Sequence, residues 1–281
     1  MLVIKRSRSR PGGVPDDHDE LRIMKNGRGS FDLIRNNLLH IKSLDPMAYK
    51  ARVNFIFNIF SSNQLFGLES FLLENDMFDY PNIIPEISRI DTLEDDGEIS
   101  LIEDMYLDTN KADGNPLAEY VKRLHSGDRN NVFTKYFDEI FLTVHKRANI
   151  NDDSRISGVC RPFLNKTFVD IGGDIHICEN LRFSADYGNV NNDIKLNNIH
   201  AVLSSYKESR SEHCTNCWAN KLCTLCFKDF DRKFATDKIP NNIKRCELER
   251  KKLTASFIEY CQILEEDESI LDHLDNFVVI E

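Results

Sequence analysis

The sequence predicts an α+β chain in two parts, an α/β unit followed by a small cysteine-rich part, and three observations lead there. Between residues 31 and 90 apolar residues recur at helix, strand, helix and strand spacing in turn, the order expected of parallel strands joined by crossovers. From Gly158 onward the texture changes to short strands and turns. All eight cysteines lie from Cys160 onward, and seven of them form one ordered pattern around Gly173: Cys160, Cys178, Cys214-x2-Cys217-x5-Cys223-x2-Cys226 and Cys246.

Taken in order, residues 1–14 read as a degraded or disordered basic arm ending in a Pro-Gly-Gly turn signal. The run FDLIRNNLLHI sets Phe31, Ile34, Leu38 and Ile41 on one helical face. Residues 51–60 alternate, with Val53, Phe55, Phe57 and Ile59 on one side and Ile56 and Phe60 on the other, as a strand covered on both faces would. A helix follows over Gln64–Glu74, then a strand within Ile83–Ile90 that Pro85 moves toward a sheet edge. The acidic segment Asp91–Asp108 reads as a solvated loop or helix face. Leu117–Leu124 and Val132–His145 are predicted helices, and the aromatic stripe of the second (Phe133, Tyr136, Phe137, Phe141) reads as core. Asn, Asp and Ser cluster in Ala148–Ser157 and mark a boundary. Cys246–Leu264 is helix-like, with Cys261 read as a buried helix thiol. The resulting division is an arm over 1–14, a first part over 15–150, a second over 151–265 and an acidic C-terminal tail over 266–281.

With 281 residues, 41% of them hydrophobic, the chain can bury a sizeable core. A net charge of −10 argues against a general nucleic-acid backbone binder, which needs clustered Lys and Arg. No apolar run reaches the length of a membrane span and no signal peptide is evident, so the expected address is the cytoplasm. In that reducing compartment a dense cysteine pattern reads as metal binding in preference to disulfides.

Closely spaced thiolates repel one another, and a bound metal removes the repulsion while deprotonating the thiols. One tetrahedral zinc ion needs only four ligands, as two C-x2-C pairs would supply. It would leave Cys160, Cys178 and Cys246 over, and the pairs stand closer than zinc pairs usually do. Seven thiolates suit two iron–sulfur clusters better, each wanting four ligands. Zinc stays open as the alternative.

The cysteine order resembles the SPASM domain of radical S-adenosylmethionine peptide-modifying enzymes. Gly172-Gly173-Asp174-Ile175-His176-Ile177-Cys178 resembles that family's hairpin ending in a ligand cysteine, and Tyr187-Gly188-Asn189-Val190 its following turn. The resemblance implies two auxiliary 4Fe-4S clusters, an outer one on Cys214, Cys217, Cys223 and Cys246 and an inner one on Cys160, Cys178 and Cys226. Where some relatives carry an eighth cysteine this chain has Ser154, which implies an open iron position on the inner cluster. His176 and His213 are the residues that could substitute there, although histidines beside such sites more often lie behind the ligands. Glu179 stands where sulfatase-maturing relatives place a carboxylate base, so it is the candidate catalytic residue. A surface glutamate after a strand is the plainer reading.

Upstream, His18–Leu38 (HDELRIMKNGRGSFDLIRNNL) resembles the segment after the fourth strand of the family's partial (β/α)6 barrel. The strand-end motif S-L-D-G is replaced here by Ser9-Arg10-Pro11-Gly12-Gly13. The fold implied is the C-terminal half of a partial barrel followed by the cluster domain. The family's C-x3-C-x2-C motif, which binds the cluster that reduces S-adenosylmethionine, does not occur in these residues. The chain is therefore expected to be inactive alone and to use S-adenosylmethionine only when complemented. Three readings follow: a portion of a peptide- or protein-maturing enzyme, one half of a split enzyme whose other barrel half sits on another chain, or a stand-alone cluster module for electron transfer or substrate binding. The implied partners are a peptide or protein substrate and that missing half.

Overall fold

The structure is a computed structural model and describes residues 2–5, 18–19, 22–59, 62–89, 114–146, 163, 167–178, 186–225 and 240–277. It divides into two compact units, one of Met1–Leu142 with Tyr260–Glu281 and one of Thr143–Glu259.

The first unit is built on a parallel sheet of β1 (Leu2–Lys5), β2 (Phe55–Ile59) and β3 (Glu86–Arg89), in the order β1-β2-β3. β1 runs in register with β2 from Leu2↔Phe55 to Lys5↔Asn58. The arm expected over residues 1–14 thus contributes a strand, because β2 offers a free ladder to the short run Leu-Val-Ile. β2 is the middle strand, with Phe55, Phe57 and Ile59 buried. It is shorter than the sequence suggests, since a helix, α2 (Pro46–Arg52), occupies its expected start. The signals for that helix are Asp45, whose side chain accepts the Ala48 N–H at 2.9 Å, and Pro46, which suits a first turn.

α1 (Phe31–Leu44) and α3 (Gln64–Glu74) are the crossovers the periodicity predicts. Asp19 caps α1 by accepting the Phe31 N–H at 2.8 Å. Phe78 packs edge-on against Phe55 and Phe57 and tilted on Phe71, with ring centroids 4.8, 5.4 and 5.3 Å apart. α4 (Pro116–His125) starts at Asn115, whose side chain accepts from Leu117 and Ala118. α5 (Val132–His145) buries Phe133, Phe137 and Phe141, so its aromatic stripe is core.

The segment set apart as an acidic tail, residues 266–281, is apolar where it counts. Ile270, Leu271 and Leu274 join the first core around a 3-10 turn, Asp272–Asn276. The largely buried Asp138 fastens this segment, accepting from Tyr120 Oη at 2.8 Å and from His273 Nε2 at 2.9 Å.

The second unit holds an antiparallel hairpin, β4 (Phe168–Val169) and β5 (Ile175–His176), and a small core of Ile175, Ile177, Tyr187 and Ile199. It also holds α6 (Leu196–Cys214) and most of α7 (Pro240–Glu266). α7 begins six residues before the expected Cys246, at a proline suited to a first turn. Among the described residues no helix is long and apolar enough to cross a membrane.

Candidate metal centre

Three of the seven pattern cysteines lie on one short piece of backbone. Cys214 ends α6, and the chain then makes three successive turns: Cys217 N–H donates to the Cys214 carbonyl at 3.1 Å, Asn220 N–H to the Cys217 carbonyl at 3.1 Å, and Leu222 N–H to the Ala219 carbonyl at 2.9 Å. Ala219, between these turns, is buried. Trp218 reaches Phe257 of α7, with ring centroids 6.4 Å apart.

Cys246 comes from α7 and completes a set of four. Burial pushes its thiol up to about 11, with the nearby sulfurs of Cys223, Cys214 and Cys217 adding to the rise and the Arg250 guanidinium opposing it. A half-buried thiol in the field of three others resists ionisation, and a cation among them would reverse the balance. All four of these cysteines are free thiols. Among the described residues no three His, Cys, Asp or Glu side chains gather tightly enough for a single ion, so the coupling of the four sulfurs acts over a longer reach than direct ligation of one metal.

A further residue, which sequence reading passes over, ties this set together. Glu249, one turn beyond Cys246, is only 5% exposed, and its Oε1 accepts both the backbone N–H and the hydroxyl of Thr224 at 2.7 Å each. The spacing Cys246-x2-Glu249 was the available signal, because it puts both side chains on one helix face.

Of the expected inner set, Cys178 is partly buried at the end of the hairpin. Cys160 and Cys226 lie outside the described residues, as do Glu179, Ser154 and the side chain of His213. The hairpin itself is closely built. Gly173 adopts φ +84° at the turn, and the Asn189 side chain donates to the Gly172 carbonyl at 2.9 Å and to Asp174 Oδ1 at 2.8 Å. Ile175 N–H donates to the Gly188 carbonyl at 2.9 Å, which docks the Tyr187–Val190 turn on the strand leading to Cys178. His176 is buried, with Nε2 3.1 Å from Asp170 Oδ2. The His176 ring, with the backbone N–H groups of Asp174 and Gly172, holds the Asp170 carboxyl below its usual range. Cys261, expected buried, is exposed. The buried face of α7 runs through Glu249, Lys252, Leu253, Ser256 and Ile263, and Cys261 shares the opposite face with Ile258.

No protein-family model matches the chain, and no curated protein matches it. Among solved structures the fold is similar to that of a polyhistidine-tagged anSMEcpe with bound AdoMet (S-adenosylmethionine), an anaerobic sulfatase-maturating enzyme. The TM-score is 0.56 at 15% sequence identity, covering 98% of this chain and 66% of that one. At that identity the likeness is one of fold, and this chain spans 66% of the other's length. The mixed helix and strand architecture is thus one shared with a radical S-adenosylmethionine enzyme.

Proposed function

We propose that this chain is the iron–sulfur portion of a radical S-adenosylmethionine enzyme that modifies a peptide or protein. It is a partial barrel followed by a SPASM domain, and it carries two 4Fe-4S clusters. The observation that carries the reading is the set Cys214, Cys217, Cys223 and Cys246, in which three soft thiols lie within electrostatic reach of a fourth contributed by a separate helix. Iron–sulfur clusters take four such ligands, and the donor set fits. Cys160, Cys178 and Cys226 form the second set, with one position open to a substrate thiolate or an outside ligand. The likeness to an AdoMet-bound maturating enzyme supports the reaction class.

When bound, the clusters supply one-electron exchange. The chain's own residues do the holding. Cys246 gives up its proton on ligation, and the turns after Cys214 keep three sulfurs at fixed spacing. Glu179 follows a proposed inner ligand and is the residue we assign to proton removal from substrate. The C-x3-C-x2-C thiolates that would hold the cluster reducing S-adenosylmethionine are not among these 281 residues. β1 is an edge of the described sheet, and a further parallel strand would pair there. A reducing compartment such as the cytoplasm suits the free thiols.

Zinc on Cys214, Cys217, Cys223 and Cys226 is the second reading, because two C-x2-C pairs suffice for one ion. Serine substitutions separate the two. On reconstitution with ferrous iron and sulfide, Cys214→Ser and Cys178→Ser should each lose about half of roughly eight irons per chain, and the double variant nearly all. Stoichiometric zinc that Cys178→Ser leaves untouched would favour the second reading instead.

A further inference from the structure

The two halves of the outer set arrive from parts of the chain that share no secondary structure. Cys214 ends α6 and Cys217 and Cys223 follow it, whereas Cys246 rides on α7. One polar contact described between the Cys223 loop and the turn of α7 beyond Cys246 is the pair of hydrogen bonds that Glu249 accepts from Thr224. Thr224 directly follows Cys223, and Glu249 lies on the same helix face as Cys246.

A carboxylate is a costly choice for this place. A buried carboxylate must be well hydrogen-bonded to be tolerated. Oε1 is committed to both donors of one residue, each at 2.7 Å, the short distance typical of charge-assisted bonds. The backbone N–H fixes the loop and the hydroxyl fixes the Thr224 rotamer.

We propose that Glu249 is a positioning residue, which holds the Cys223 loop against α7 and so sets the spacing of Cys223 to Cys246 in the outer ligand set. The inference rests on the cluster reading above. Glu249 acts on a metal only through the cysteines, by keeping their sulfurs at the separation the site requires. Groups behind metal ligands characteristically do this, and losing one typically costs about 10- to 100-fold in affinity.

The test uses the full chain reconstituted anaerobically with ferrous iron and sulfide, in wild type, Glu249→Ala, Glu249→Gln and Thr224→Val. Iron and sulfide per chain are measured, then iodoacetamide labelling of each cysteine by peptide mass spectrometry, with far-ultraviolet circular dichroism as the fold control. Glu249→Ala should lose about four of roughly eight irons. Its Cys223 and Cys246 should be alkylated at least about tenfold faster than in wild type, with Cys178 still protected. Glu249→Gln keeps an oxygen that accepts both bonds and should restore loading and protection. Thr224→Val, which removes one of the two bonds, should show a smaller loss in the same direction and reports even if Glu249→Ala does not fold. The proposal is overturned if Glu249→Ala and Thr224→Val stay loaded and protected, if Glu249→Gln fails as Ala does, or if labelling rises equally at Cys178. A wild type that takes up no iron overturns this inference together with the cluster reading, and is distinguished from the other failures by that control alone.

Discussion

At Gly188 a side chain has nowhere to go. The residue sits at φ +103°, and an added Cβ would lie 2.3 Å from the Asp193 carbonyl oxygen. Gly188→Ala should therefore destabilise the second unit by at least about 1–3 kcal/mol, read as an earlier thermal transition, and should loosen the hairpin that leads to Cys178. Gly29 is constrained differently, since the Asp19 carboxyl group occupies the space a Cβ would take. Cys246 carries a pH signature. Its thiol is pushed up to about 11, above the ordinary thiol value of about 8.5, so the protonated form favours the folded state. That contribution is complete below the unfolded value and is lost as pH rises through the folded one. In metal-free protein at about pH 8, iodoacetamide should modify Cys246 at least about tenfold more slowly than the exposed Cys261, as thiolate fraction and access both dictate. Equal rates would contradict the assigned environment. Cysteines at C-x2-C spacing are rare enough to announce themselves in a sequence. Glu249 was not legible there, because a glutamate in a charged helix looks like any solvated one until its burial is seen.

Elements with a strong apolar period were readable. α1, α3, β3, α4 and α5 appear where the spacing of Phe, Leu and Ile puts them, and β2 appears without the first residues expected of it. α6 was not, because Leu196–Cys214 (LNNIHAVLSSYKESRSEHC) is rich in Asn, Ser and His, which are poor helix formers, and has only a few apolar positions. β1 was missed because four residues carry no measurable period, and its pairing with β2 is a tertiary fact. The C-terminal segment was misread through its charge. Asp272 and Asp275 dominate the composition, while Ile270, Leu271 and Leu274 enter the core. Leu274 is 0% exposed, so Leu274→Ala should cost about 2–5 kcal/mol in the denaturation of the first unit. Asp138→Ala, which leaves the buried Tyr120 hydroxyl without its acceptor, should cost about 1–3 kcal/mol in the same measurement. An unchanged transition in either variant would place the segment outside the cooperative unit.

At the scale of the molecule, two compact units divide the work. The first is a parallel sheet with its crossovers, and the second holds Cys214, Cys217 and Cys223 within electrostatic reach of Cys246. The mixed helix and strand character was readable from the order of elements. The coupling of Cys246 to the thiols after α6 was not, since it depends on how the Cys223 loop and α7 are tied together. Everything proposed for this chain depends on its thiols holding iron–sulfur clusters. The decisive experiment is to count iron, inorganic sulfide and zinc per chain after anaerobic reconstitution and to record the electron paramagnetic resonance spectrum of the reduced protein. About eight irons with matching sulfide, and signals from two clusters, are expected. About one zinc with no sulfide would overturn the cluster reading and leave a zinc-stabilised structural unit in its place.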